Sequence, residues 1–122
     1  MLTSGIATTG GWAVFKLGAK SENGLVDAIS TAHPSLLDHA EVDNVAVPVQ
    51  ILSPEHDAMY TEELKAYTNK VIPSLGVEYD YQYFPALTHG FAARGDPNDP
   101  VQKKGLERAK NAVTHWFTEH LH

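Results

Sequence analysis

Two strand-like runs joined by one amphipathic helical stretch fix the class of fold open to this chain. Val47-Pro48-Val49-Gln50-Ile51-Leu52 reads as a strand, with Pro48 among its first residues, where no ladder donor is needed. Thr61-Glu62-Glu63-Leu64 opens a helix: Thr61 can cap it, and the two glutamates suit the positive end of the helix dipole. Leu64, Thr68, Val71, Ile72 and Leu75 form its apolar stripe, and Gly76 follows the last turn as a left-handed stop. Glu78 to Phe84 is a second strand, in which Tyr79, Tyr81 and Tyr83 alternate with Glu78, Asp80 and Gln82. Such alternation predicts one exposed face and a place near the sheet edge. Short apolar runs alternating with helices are the signature of a parallel sheet with helical crossovers.

The remainder extends the pattern. Met1 to Gly5 can be the stub of a strand, Trp12 to Leu17 a short apolar helix, and Leu25 to Ser30 a strand ended by His33-Pro34-Ser35. Asp96-Pro97-Asn98-Asp99-Pro100 is a turn cluster. A last helix runs from about Val101 to Leu121, with Leu106, Ala109, Ala112, Val113, Trp116 and Phe117 at helical spacing for docking on the sheet. The expectation is a single α/β domain over residues 1–122, with a mostly parallel sheet of four strands and flanking helices. A formal net charge of −6 argues against a nucleic-acid partner and against an anionic membrane surface. With no cysteine there can be no disulfide, thiolate metal site or thiol nucleophile. No apolar run is long enough to span a bilayer, and the N-terminus lacks the basic and apolar regions of a signal peptide, so the expected location is cytoplasmic.

Two segments carry chemistry. Ser53-Pro54-Glu55-His56-Asp57 follows one predicted strand, and Thr88-His89-Gly90-Phe91-Ala92-Ala93-Arg94-Gly95-Asp96 follows the next. Both are expected on loops at strand C-terminal ends, the edge where open α/β sheets bind ligands. An acid followed about thirty residues later by a histidine is the second half of a nucleophile…Asp…His order. A histidine base needs a carboxylate on its other ring nitrogen to fix the tautomer and stabilise the imidazolium. Taken singly, Asp57 also fits a turn residue and His89 an exposed loop residue; their joint placement favours the functional reading.

From Val47 to Leu121 the chain resembles the dienelactone hydrolases, within the α/β-hydrolase fold. The similarity lies in Pro48-Val49-Gln50-Ile51-Leu52 ahead of the acid, Tyr83-Phe84-Pro85, His89-Gly90-Phe91-Ala92-Ala93-Arg94-Gly95-Asp96-Pro97 and the helix from Glu107 to Phe117. His33-Pro34-Ser35 is similar to the fungal-type branch. The resemblance implies Asp57 as triad acid and His89 as triad base. It also implies hydrolysis of a small ester or lactone through a cysteine, without metal or organic cofactor.

The family's Gly-x-Cys-x-Gly-Gly elbow is matched here by Gly5-Ile6-Ala7-Thr8-Thr9-Gly10-Gly11. Aligned on the following Gly-Gly, Thr8 stands where Cys belongs; aligned on Gly5, Ala7 does. Ala7 has no nucleophile. Thr8 has a hydroxyl, but its β-methyl stiffens χ1, and an alkoxide is far harder to generate than a thiolate. The family domain is about twice this length, so the chain looks like the C-terminal half of such a hydrolase, truncated or recorded in part, with Met1–Gly5 as an exposed sheet edge. It is expected to show no appreciable esterase activity. A non-enzymatic alternative is a half-domain that binds a partner or pairs with a second copy through that edge.

Arg94 is a candidate for holding an anionic substrate group, and equally a solvated loop arginine. His33 is a candidate substrate-side residue, and equally a strand terminator before proline. His56 adjoins Asp57 and should point elsewhere. His115, His120 and His122 sit near a helix end, where a cation suits the dipole. The five-residue spacing of His115 and His120 does not match a zincin pair, and no metal site is expected.

Overall fold

The computed structural model describes residues 4–7, 15, 18–19, 26–32, 34, 37–88, 96 and 98–120. The elements are β1 (Ser4–Ala7), β2 (Ala28–Ala32), α1 (His39–Asp43), β3 (Val49–His56), α2 (Glu62–Ser74), β4 (Tyr79–Thr88) and α3 (Pro100–His120). The strands form one sheet in the order β1-β2-β3-β4, and every neighbouring pair is parallel. Side chains are described in β2, β3 and β4.

Period-two alternation along β3 sends residues to two separate cores. Val49 and Ile51 pack with Ile29, Val42, Tyr60 and Ile72 on the α2 side. Leu52 packs with Ala32, Phe84, Leu87, Ala109 and Ala112 on the α3 side. The sheet is therefore covered by helices on both faces, as a parallel sheet requires.

Each helix follows from its sequence. Thr61 caps α2 by accepting from the Leu64 N–H at 3.2 Å, and Gly76 takes φ +78 just past the end. The expected stripe is on the buried side, but Lys65 is buried with Thr68 and Ile72. Asp99 accepts from the Val101 and Gln102 N–H groups and so starts α3. Gly105, not Leu106, is buried on the docking face: a Cβ at 105 would meet Leu87 Cδ1 at 2.3 Å, so the glycine lets the helix approach β4. Trp116 donates from Nε1 to the Ile29 carbonyl at 3.0 Å. Arg108 reaches the Tyr83 carbonyl at 2.7 Å while lying 4.0 Å above the Phe84 ring. At the end of α3, His120 places Nδ1 2.9 Å from the Trp116 carbonyl and Nε2 2.6 Å from Glu78 Oε2. Burial opposes its charge, but the Trp116 carbonyl, Glu78 and Glu119 outweigh burial and raise its pKa above the ordinary value.

Several expectations need correction. β2 lies at 28–32, not 25–30, because Val26 turns into the core ahead of the ladder. β3 runs on through Ser53, Pro54, Glu55 and His56, which were expected in a loop. β4 likewise continues past Phe84 to Thr88. Both extensions exist because the strands pair again, His56 with Thr88, beyond a register break. Helix α1 was not anticipated; Asp38 caps it by accepting from the Glu41 N–H at 3.2 Å. Apart from the buried Phe15, the helix expected at Trp12–Leu17 lies outside the described residues.

The alternation in β4 also has a different cause from the one expected. β4 does end the strand order, and Tyr79 and Tyr81 pack toward α2, yet the polar positions are engaged as well. Ser30 Oγ donates to Gln50 Oε1 at 2.7 Å, and Gln50 Nε2 donates to Asp80 Oδ2 at 2.8 Å and to the Ala112 carbonyl at 3.1 Å. Gln82 Nε2 adds a second bond to the same Asp80 oxygen. Ser30, Gln50 and Asp80 are register partners across three strands, so this polar row fixes the ladder and ties α3 onto it. Gln50→Leu keeps the bulk but removes the Gln50 partner of the buried Ser30 hydroxyl and of the Ala112 carbonyl, and leaves Asp80 with Gln82. It should cost about 1–3 kcal/mol in urea unfolding, the penalty of unpaired buried polar groups; a neutral result would show that the row contributes packing only.

Candidate site at the strand ends

The four described strands all point the same way, so their C-terminal ends form one rim. β1 ends at Ala7, β2 at Ala32, β3 at His56 and β4 at Thr88. The next residues in sequence are Thr8, His33, Asp57 and His89. Every one of these sequence-predicted candidates thus directly follows the end of a different strand. Asp57 is the only one of the four among the described residues; Thr8, His33, His89 and also Arg94 lie outside them. Ala7, the other register for the elbow, is the last residue of β1 and pairs with Thr31.

The structure around Asp57 is detailed. Its Oδ1 accepts from the Met59 N–H at 2.8 Å and the Tyr60 N–H at 3.1 Å, an Asx turn that fixes the carboxylate plane. Tyr60 anchors the far side of that turn: its ring is fully buried, its hydroxyl bonds Thr68, and burial raises its pKa well above the ordinary phenol value.

Upstream, β3 and β4 lose register between Pro54–Phe84 and His56–Thr88, so Glu55 alone faces Pro85, Ala86 and Leu87. Pro54 suits the break because it has no N–H to lose. Ala86 takes φ +63 in the bulge, and its N–H donates to Glu55 Oε1 at 2.7 Å. The unpaired residue of one strand thereby satisfies the bulged residue of the other. On the α2 side, Lys65 Nζ donates to the Pro54 carbonyl at 3.0 Å, the Glu55 carbonyl at 3.4 Å and Glu62 Oε1 at 3.3 Å. A cleft of about 620 Å³ opens here, lined by Glu55, His56, Glu62, Lys65, Tyr81 and Tyr83, beside Asp57 rather than over it. His56 is exposed, with Nε2 3.7 Å from Glu55 Oε1.

Lys65, Glu55 and Ala86 were not singled out from the sequence. Lys65 had a legible signal, since it falls at helical spacing with the buried Thr68 and Ile72. Glu55 and Ala86 had none, because a register break is a property of two strands together.

The rim offers an oriented carboxylate one residue beyond a strand pair, next to the strand that leads to a histidine. A carboxylate held in this way can orient an imidazole and stabilise its charged form. Among the described residues, a different group could approach a cation: ligand atoms of Glu78, Glu119 and His120 lie within 4.8 Å of one another. That cluster sits at the opposite end of β4, and the His120 nitrogens already face Glu78 and the Trp116 carbonyl. No helix among the described residues is long and apolar enough to cross a membrane.

Asp57 shapes the turn as well as carrying charge. Asp57→Ala, which removes the acceptor for two N–H groups, should lose about 1–2 kcal/mol in urea unfolding. Asp57→Asn keeps an oxygen in place and should lose less than half as much; equal losses would mean that the charge, not the turn, stabilises this segment.

Comparison with known proteins gives the family and the fold. The sequence model of the dienelactone hydrolase family matches residues 8–121. The hydrolase tropI of Talaromyces stipitatus is 26% identical over 98 residues, covering 80% of this chain and 39% of the relative. Dienlactone hydrolase 1 of Gibberella moniliformis is 25% identical over 97 residues, covering 80% and 37%. A dienelactone hydrolase-like promiscuous phosphotriesterase from metagenomic libraries superposes with a TM-score of 0.76 at 18% identity, covering 98% of this chain and 52% of that one. For the dienelactone hydrolase of Anabaena variabilis the TM-score is 0.69 at 18% identity, with 98% and 50% covered. The structural likenesses establish an α/β-hydrolase fold, and the chain spans about two-fifths of the length of these curated relatives. With the family match running over nearly its whole length, the chain belongs to the dienelactone hydrolase family.

Proposed function

We propose that this chain carries the nucleophile position, acid and base of a carboxylic-ester or lactone hydrolase. His89 is the base, Asp57 orients it, and Thr8 occupies the nucleophile position. One observation supports the reading above the rest: the three residues directly follow β1, β3 and β4, which end on one rim of a parallel sheet. The fixed Asp57 carboxylate adds to it. Since Ala7 belongs to β1 itself, the register that puts Thr8 at the elbow is preferred. The substrate is a small ester or lactone, with Arg94 and His33 as candidate contacts, and the chemistry asks for no metal or organic cofactor.

Turnover by the chain alone is expected to be low. A threonine hydroxyl is a poor substitute for a thiolate.

The reading can be tested without turnover, because the chain has no cysteine of its own. In Thr8→Cys, iodoacetamide alkylation against pH reports a single thiol. An imidazole base beside it should bring the midpoint at least about one unit below the ordinary 8.5, and His89→Ala in the same background should restore it. An ordinary midpoint with His89 intact would overturn the triad assignment.

A second reading is favoured by β1, which ends the strand order and has β2 as its one partner among the described strands. A second copy paired along that edge would extend the sheet, making the chain a dimerising half-domain. Light scattering coupled to size exclusion should then give twice the 13.3 kDa chain mass; a strict monomer across the concentration range rules this out.

A further inference from the structure

We propose that Lys65 is the positioning residue of the rim acid: its ammonium clamps the end of β3 and so fixes in place the Asx turn that presents the Asp57 carboxylate at the rim. The inference rests on the triad reading above and deepens it.

Lys65 is 8% exposed, an unusual place for an ammonium, whose desolvation costs several kcal/mol unless it is well paired. Its partners explain the burial. Nζ donates to the carbonyls of Pro54 and Glu55 and to Glu62 Oε1. Pro54 is the last pair before the register break, and Glu55 has no register partner in β4, though its carboxylate accepts from the Ala86 N–H. The regular ladder is therefore interrupted just where backbone must be held, two residues ahead of Asp57. A cation that donates to two successive carbonyls takes over from the ladder at that point.

The other end of the lever is equally fixed. Lys65 is on the first turns of α2, its N–H bonds the Thr61 carbonyl at 2.8 Å, and its own carbonyl accepts from Thr68 Oγ1 at 3.1 Å and Asn69 Nδ2 at 2.8 Å. Thr68 in turn bonds the Tyr60 hydroxyl, and Tyr60 closes the Asx turn of Asp57. The segment from Pro54 to Tyr60 is thus held by Lys65 at its start and, through Thr68, by the same helix at its finish. Removing the ammonium leaves the turn intact but loosens Pro54 and Glu55, so that the single His56–Thr88 pair is left to hold the strand end that aims it.

The test is the imidazole titration of His89 in the full chain, followed by proton NMR and assigned with His89→Gln. Asp57→Asn is the reference: removing a carboxylate beside His89 should lower its midpoint by about one unit or more. Lys65→Met should lower it in the same direction by at least half as much, although no charge next to His89 has been removed. Lys65→Arg, which keeps a charged donor, should restore most of the shift. Deuterium exchange at the Met59 N–H should stay slow in all three, because the Asx turn survives. A Lys65→Met protein with the native amide spectrum and an unshifted His89 midpoint overturns the proposal. If Lys65→Met does not fold, Lys65→Gln, with a shorter neutral donor, is read by the same criteria. Should Asp57→Asn itself leave His89 unmoved, the triad reading falls, and the role of Lys65 falls with it.

Discussion

The register of β3 between its two neighbours is the constraint on which the other features depend. β3 is paired on both sides, supplies Val49 and Ile51 to one core and Leu52 to the other, and carries Gln50 at the centre of a polar row. In a parallel sheet a slip of one residue would exchange the two faces. Here it would place Gln50 against the apolar α2 side and break its bonds to Ser30, Asp80 and the Ala112 carbonyl at once. Apolar burial could tolerate several alignments of such strands; a buried amide with partners on two strands and a helix tolerates one.

That fixed register makes the break at its end meaningful. The ladder stops between Pro54 and His56 and resumes with His56 opposite Thr88, so the two strands finish level with each other. Without the two extra residues of β4, their ends would be staggered along the rim. Acid and histidine segments separated by a whole helix and strand are brought to adjacent exits by a bulge, and Glu55 and Lys65 stabilise the bulge from its two sides.

Much of this was legible in the sequence, for local reasons. Thr61 caps α2, Gly76 stops it, and Asp99 lies in the turn cluster that starts α3, all from chemistry contained within a few residues. The α/β class and the parallel sheet followed from alternating periodicity. What the sequence concealed was non-local. Ser53 to His56 look like a loop because of Pro54 and the charged residues, and only pairing with β4 makes them strand. Gly105 reads as a weak point of a helix until Leu87 is seen against it. Asp57 was legible as a rim residue, whereas the support under it, from Lys65 and Glu55, depends on carbonyls and an amide that no side-chain pattern records.

The outer side of β4 has a consequence for how this molecule behaves among its own copies. The Val49 N–H reaches the Glu78 carbonyl, so Glu78, Asp80 and Gln82 direct their backbone groups inward and Tyr79, Tyr81 and Tyr83 direct theirs outward. An open row of this kind is a template for sheet growth. The guanidinium of Arg108 already occupies the Tyr83 carbonyl, and the left-handed turn at Ala86 bends the chain immediately beyond. Among the described residues, what is left to a passing strand is the backbone around Tyr79 and Tyr81. On this side, one arginine and one bulge shorten the row that a passing strand could pair with.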